Sequence, residues 1–208
     1  MTPHLSSTLG SVLVGSGAAS ILTGVVSTQT VYYFQSYPDD KPLIKLMVVV
    51  VWCLDFLHTI MIFTSDWWWL IGHFNDPGVS DLIPWSLGIT VVLTAMVTVI
   101  VHGFFAYRIH RLSKGNWFVV APIVVLALAR LGFASTTCSK MMIYKSFSMF
   151  IHHAAWVFTM GLVASSILDI VVTSSLVWYL GHSRSGFEGL DQIVNTLCRY
   201  TVENGLFT

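Results

Sequence analysis

Three ionisable residues interrupt long apolar stretches of the sequence, where charged side chains are rare. Asp55 and His58 lie in the stretch 46–63, and Asp169 lies in the stretch 154–180. Because Asp55 and His58 are three positions apart, they share one face of a helix, where a carboxylate and an imidazole can exchange a proton or hold a cation. We expect Asp55 and Asp169 to face each other inside the fold. Two interpretations stay open: a proton- or cation-responsive site, or a polar network that fixes helix register.

A stripe of hydroxyl groups adds polar positions to a third apolar stretch. Thr94, Thr98 and His102 follow one another at intervals of four residues and so lie on one side of a helix. Residues of this kind at this spacing allow helices to pack closely, and they can also line a pathway for a solute. For His102, near the inner end of its stretch, an interfacial position is the alternative to a role in the site. Similar stripes occur in the first stretch (Ser16, Ser20, Gly24, Thr28) and in the last (Gly161, Ser165, Asp169, Thr173).

Sequence motifs typical of enzymes, cofactor sites and metal sites are absent. There is no GxSxG nucleophile motif, HExxH zinc motif, GxxxxGK phosphate loop or GxGxxG dinucleotide loop. Cys53, Cys138 and Cys198 form no CxxC pair, and the adjacent His152 and His153 would point about 100° apart on a helix. Ten basic and ten acidic residues leave no net charge and no basic stripe for phosphates. We therefore expect no enzymatic activity, no cofactor, no metal and no nucleic-acid partner.

The composition indicates that a lipid bilayer surrounds these residues. Hydrophobic residues fill 55% of the 208 positions and charged residues only 10%, against roughly 25% charged residues in soluble domains. A helix needs about 20 apolar residues to cross the hydrocarbon core. The sequence predicts an all-α polytopic transmembrane helix bundle over residues 1–180, in which Arg130, near the end of a short fourth span, extends to the membrane interface. The five predicted spans are 10–34, 46–63, 86–107, 117–133 and 154–180.

Basic residues are divided unevenly among the loops between these spans. With the N-terminus outside, the inner loops and tail hold seven Lys and Arg residues and the outer loops hold three. This bias predicts an outer N-terminus, because short cytoplasmic loops are enriched in Lys and Arg. Trp67, Trp68, Trp69 and Trp85 flank one outer loop, which is typical of an aromatic girdle at the headgroups; a ligand-stacking platform is the alternative.

The tail 181–208 is more polar than the rest of the chain. Its apolar residues recur at helical spacing, at Leu190, Ile193, Val194, Leu197 and Tyr200. This pattern predicts a cytoplasmic amphipathic helix, which would lie either on the inner face of the membrane or beneath the bundle.

A series of short motifs is spread over nearly the whole chain. They are Gly24, Gln29, Tyr33-Phe34, Tyr37, Asp40, Trp52 to His58, Phe104 to Ile109, Leu112-Ser113, Arg184 to Phe187, Asp191 and Gly205 to Thr208. In order and spacing they resemble the fungal, mainly basidiomycete, integral membrane family catalogued as domain of unknown function 6534. That resemblance implies a seven-helix bundle with no established molecular activity. His102 stands where the family commonly has Gln, and Gly205 to Thr208 resembles the approach to a sixth helix, so a shortened chain is expected.

These patterns favour a receptor- or sensor-like membrane protein with a polar site inside the membrane. The alternatives are a structural or accessory membrane subunit and a proton- or cation-coupled transporter of small solutes. The expected partners are the lipid bilayer and other membrane subunits, and the plasma membrane is the favoured location.

Overall fold

Helices make up nearly all of the structure, a computed structural model that describes residues 3–74, 76 and 78–182. A π-helical turn (Trp68–Gly72) continues the second helix, and a 3-10 turn (Val79–Asp81) lies in the loop that follows it. Apart from one isolated bridge between Leu82 and Ser146, the described residues contain no β-structure, so the predicted all-α fold is confirmed. The five long helices are α1 (Pro3–Ser36), α2 (Pro42–Trp67), α3 (Trp85–Leu112), α4 (Trp117–Tyr144) and α5 (Phe147–His182).

All five helices are long and apolar enough to cross a membrane. Their outward side chains are largely hydrophobic: Leu43, Val14 and Phe118, for example, are 76%, 74% and 91% exposed. Such a surface is stable in lipid and costly in water. The chain is therefore a multi-pass integral membrane protein. The amphipathic helix predicted for the tail lies outside the described residues from position 183 onward.

Local sequence explains where several helices begin and end. Pro42 occupies the first turn of α2, where its missing N–H costs nothing. Asn116 precedes α4, and its side-chain oxygen accepts a hydrogen bond of 3.0 Å from the Phe118 N–H. At the other end of α4, Lys145 takes a left-handed conformation with φ of 53°, which stops the helix. Because α5 starts at Phe147, α4 and α5 form a tight antiparallel pair.

The helix α3 lies at the centre of the packing. It contacts α2, α4 and α5, whereas α1 contacts mainly α2. Two apolar clusters fill the space around α3. The inner one, at the end of the bundle that the sequence predicts to face the cytoplasm, contains Ile109, Ile123 and Leu168, all of them fully buried. The outer one, at the opposite end, contains Ile83, Met141, Phe150 and Ala154. These clusters fix the rotation of α3 and α5, and hence the directions of the polar residues between them.

The fourth helix differs from the sequence prediction. It continues beyond position 133 to Tyr144, and the whole of Trp117–Tyr144 is apolar enough to form one span. Arg130 therefore lies at the middle of α4 and not near its end. The interpretation of Arg130 as a residue that extends to the interface is wrong, because the apolar run resumes on its far side.

The tryptophans around the outer loop point in different directions. Trp67 and Trp85 are 64% and 56% exposed, as a headgroup girdle requires. Trp69 is buried, stacks on Phe147 and donates a hydrogen bond of 3.1 Å from Nε1 to the Leu82 carbonyl. Trp68 lies against His73, with ring centroids 4.1 Å apart. The consecutive tryptophan rings thus have separate partners and do not form one stacking surface.

Candidate functional site

The structure brings two of the predicted residues into direct contact across α3 and α5. Nε2 of His102 lies 3.0 Å from Oδ1 of Asp169, and Nδ1 of His102 lies 2.9 Å from the carbonyl oxygen of Thr98, one turn earlier on α3. His102 is almost fully buried, which holds its ring between these two partners. The imidazole therefore joins the two helices at a fixed point.

This geometry fixes where the protons of the pair lie. The Thr98 carbonyl only accepts hydrogen bonds, so Nδ1 of His102 carries a hydrogen. Nε2 faces a carboxylate oxygen, and that contact is a hydrogen bond only if one proton lies between the two atoms. The pair is then either an imidazolium and a carboxylate or an imidazole and a carboxylic acid. Loss of the shared proton leaves one ring hydrogen for two acceptors, so the ring keeps its hydrogen bond to Thr98 or to Asp169 and loses the other.

Arg130 on α4 completes the polar network, which we define as His102, Asp169, Arg130 and Thr98. Its Nε donates to Thr98 Oγ1 over a long 3.4 Å, and its Nη1 donates to the carbonyl of Gly161 at 3.1 Å. Its guanidinium also interacts electrostatically with Asp169. Arg130 was not predicted as a site residue. The signal in the sequence is the apolar run on both sides of it, which places a cation deep in a span.

The network lies close to the middle of the membrane. Thr98 and Arg130 stand at the centres of α3 and α4, and His102 lies one turn nearer the inner end of α3. Charged side chains at this depth cost about 2.5–3.5 kcal/mol each on insertion scales, which pairing with one another reduces. With the shared proton in place, the Arg130, His102 and Asp169 side chains together carry one net positive charge.

A cleft of about 160 Å³ opens next to the network, between α3, α4 and α5. Arg130 lies at its inner end. Because Thr94 and Leu162 on its lining are exposed, it opens onto the lipid-facing surface of the bundle. The whole lining comprises Thr90, Val91, Thr94, Arg130, Phe133, Ala134, Thr137, Phe158, Gly161 and Leu162.

The hydroxyl stripe on α3 serves this region in two ways. The Thr94 and Thr98 hydroxyls donate back to the carbonyls of Thr90 and Thr94 at 2.9 Å each. Thr94 also lines the cleft, and Thr98 accepts from Arg130. The threonines of the predicted stripe therefore donate hydrogen bonds to the backbone of their own helix, and they also contact the cleft and Arg130.

Asp55 and His58 lie apart from this network, on α2. The contacts of α2 are with α1 and α3, while α5 packs against α3 and α4. Oδ2 of Asp55 is buried without a hydrogen-bond partner among the described residues. The Asp169 side chain is 63% exposed and is turned towards His102. The expectation that Asp55 and Asp169 face each other inside the fold is wrong, because α3 lies between their helices.

Sequence reasoning also missed polar links between other helices. Thr23 on α1 and Thr59 on α2 share a hydrogen bond of 2.8 Å, and Ser65 on α2 and Ser86 on α3 share one of 2.7 Å. All four residues are buried. They belong to none of the predicted stripes, so nothing in their spacing distinguishes them from other hydroxyl residues in the spans.

Comparisons with protein-family models, with curated proteins and with solved structures find no match to this chain. Within residues 3–182, as far as the structure describes them, no group of His, Cys, Asp and Glu has the arrangement of a metal site. The network and the cleft are therefore the candidate functional features of the protein.

Proposed function

We propose that this integral membrane protein is receptor- or sensor-like and non-enzymatic, and that it responds to protons through the His102–Asp169 contact. The observation that carries the proposal is the position of the His102 ring. Its Nδ1 bonds to the Thr98 carbonyl, and its Nε2 needs a shared proton to bond to Asp169. Protonation would let the ring bond to Thr98 and Asp169 at once, and deprotonation as pH rises would leave only one of these two bonds and so weaken the link between α3 and α5.

The surroundings of His102 support a reversible response. Arg130 from α4 is a charged neighbour of the pair and interacts electrostatically with Asp169. An apolar core on the inner side of the network, with Ile109 and Leu168 fully buried, would transmit a change in contact to the helix ends.

The proposal is tested by measuring the separation of α3 and α5 as a function of pH. Spin labels are placed at Tyr107→Cys and Val177→Cys, two exposed positions near the inner helix ends, with the three native cysteines replaced by serine. We expect the label distance in reconstituted wild-type protein to change from acid to alkaline pH, by on the order of 1–2 Å, as helix shifts at interfaces do. Asp169→Asn removes the shared proton and should abolish the change.

Asp55→Asn is the matched control, because Asp55 is also an acid within a span but lies outside the network. It should keep the wild-type pH response. The alternative role, a structural or accessory membrane subunit, predicts that Asp169→Asn lowers the unfolding temperature and leaves the pH dependence of the label distance unchanged. That result would overturn the sensor proposal.

Two further proposals concern the location of the protein and its family. We propose the plasma membrane as the site of action, which microscopy of the tagged full chain tests. The resemblance to the fungal integral membrane family catalogued as domain of unknown function 6534 is likewise proposed, and it is supported by the order and spacing of the motifs along the chain.

A further inference from the structure

We propose that the cleft between α3, α4 and α5 binds a small aromatic carboxylate of the size of benzoate. The inference concerns the cleft and does not depend on the proton response of His102. It rests on three features of the cleft: a cation at its inner end, aromatic rings in its wall and a volume that fits one ring.

The cation is the guanidinium of Arg130. A guanidinium has five N–H donors, and the structure gives two bonds to this one, from Nε to Thr98 and from Nη1 to Gly161. Its remaining N–H groups are free of partners among the described residues, and they belong to a residue that lines the cleft. Since the guanidinium is always charged, it attracts an anion bound here. A carboxylate suits the planar fork of arginine better than a spherical anion does.

The side chains in the wall of the cleft favour an aromatic ring as the remaining part of the ligand. Phe133 and Phe158 contribute aromatic rings, and Val91 and Leu162 contribute aliphatic surface. Aromatic rings prefer offset or edge-to-face contacts with one another. The volume of about 160 Å³ is close to that of an engineered cavity of about 150 Å³ that binds benzene. One six-membered ring fits, with its carboxylate at Arg130.

The route into the cleft favours a lipophilic acid. Thr94 and Leu162 are exposed on the lipid-facing surface, so the mouth of the cleft opens to the bilayer. A small aromatic acid dissolves in the bilayer in its neutral form.

The test is calorimetric titration of the full chain, purified in detergent, with benzoate. Hexanoate (a linear carboxylate of similar size), acetate (a carboxylate without a ring) and benzyl alcohol (a ring without a charge) serve as comparison probes. We expect benzoate to bind at least tenfold more tightly than each of the three. Arg130→Gln should weaken benzoate binding at least tenfold, and Arg108→Gln, near the inner end of α3, should leave it unchanged.

Leu162→Trp keeps the proposal falsifiable if Arg130→Gln fails to fold. It leaves Arg130 in place and fills the mouth of the cleft from an exposed position, so it should block benzoate. Equal binding by wild type and Leu162→Trp, equal binding of benzoate and acetate, or no binding of benzoate to the wild type would each overturn the inference. Asp169→Asn should abolish the pH response and keep benzoate binding, so failure of this inference and failure of the proposed function are distinguishable.

Discussion

Asp81 joins the outer loop to the start of α5 through its carboxylate. One oxygen accepts hydrogen bonds from the backbone N–H and the hydroxyl of Ser148 at 2.8 and 2.6 Å, and the other accepts from the Ser146 hydroxyl at 2.5 Å. These residues begin α5, where free N–H groups and the helix dipole favour an anion. The hydrogen bonds from Ser146 and then from Ser148 hold the pKa of Asp81 below its ordinary value.

The lowered pKa of Asp81 sets the sign of a pH effect on stability. A carboxyl group whose pKa is lower in the folded state contributes stability above its unfolded pKa and loses it as pH falls through the folded pKa. We expect the unfolding temperature of the wild type in detergent to fall over that acidic range. Asp81→Ala should lower stability near neutral pH by on the order of 1 kcal/mol, as the loss of a helix cap does, and should remove this part of the acid sensitivity.

Asp39→Ala is the control for this prediction. Asp39 is exposed in the turn between α1 and α2 and makes no hydrogen bond in the described part of the chain. Asp39→Ala should leave the unfolding temperature unchanged, both near neutral pH and over the acidic range. Equal acid sensitivity in Asp81→Ala and in wild type would show that the Asp81 contacts contribute nothing to the folded state.

The residue scale also shows how far the site could be predicted. Asp169, Thr98 and His102 were recognised because a polar residue in an apolar stretch is visible in the sequence alone. Their pairing was not, because contact between α3 and α5 depends on the rotation of each helix, which the packed clusters around Ile109 and Leu168 decide. The sequence places Arg130 near the end of its span because the predicted fourth span, 117–133, is shorter than α4.

At the scale of elements, neighbouring helices are linked by buried hydroxyl pairs. Ser65 and Ser86, each 1% exposed, connect the outer ends of α2 and α3. Lipid offers hydroxyl groups no competing partner, yet such bonds average only about 0.6 kcal/mol in membrane proteins, with a maximum near 1.7 kcal/mol. The Ser65–Ser86 hydrogen bond therefore contributes mainly to the alignment of α2 and α3 and only a little to the stability of their contact.

A double-mutant cycle measures this link. Ser65→Ala and Ser86→Ala should each destabilise the protein, and the double variant should be less damaging than the sum by about 0.6 kcal/mol. The unfolding free energy in mixed micelles is the measurement. Ser65→Ala combined with Thr23→Ala, on α1, is the control pair and should be additive, since Thr23 bonds to Thr59. Additivity for Ser65 and Ser86 as well would contradict the contact.

Hydropathy predicted the number and type of helices well and their ends poorly. All five predicted spans fall inside α1 to α5, because a long apolar run has few other stable forms in lipid. The ends depend on local features, such as the cap at Asn116 that starts α4 and the left-handed Lys145 that stops it. The π-helical turn after α2 left no trace in the sequence pattern.

In the molecule as a whole, the Lys and Arg residues at the helix ends are distributed unequally between the two ends of the bundle. One side carries Lys41 and Lys45 at the α1–α2 turn and Arg108, Arg111 and Lys114 at the α3–α4 turn. The other side carries Lys140 and Lys145 at the end of α4. Because Arg130 lies inside a span, it no longer counts with the outer loops. The bias between the two sides is therefore stronger than the sequence alone indicated, and it favours an outer N-terminus.

Labelling with a membrane-impermeant maleimide on intact cells tests this orientation. Two matched variants, Asp76→Cys and Asp39→Cys, each replace an exposed loop aspartate in a chain whose native cysteines are serine, and neither alters the Lys and Arg distribution. Asp76 lies in the loop between α2 and α3, so it should react at once, whereas Asp39, in the α1–α2 turn, should react only after the membrane is permeabilised. The reverse pattern would invert the bundle. The network would stay at mid-membrane. The mouth of the cleft lies in the half of the bundle that carries the 73–84 loop, so it would then open to the inner leaflet. An aromatic acid would have to enter from the cytoplasmic side.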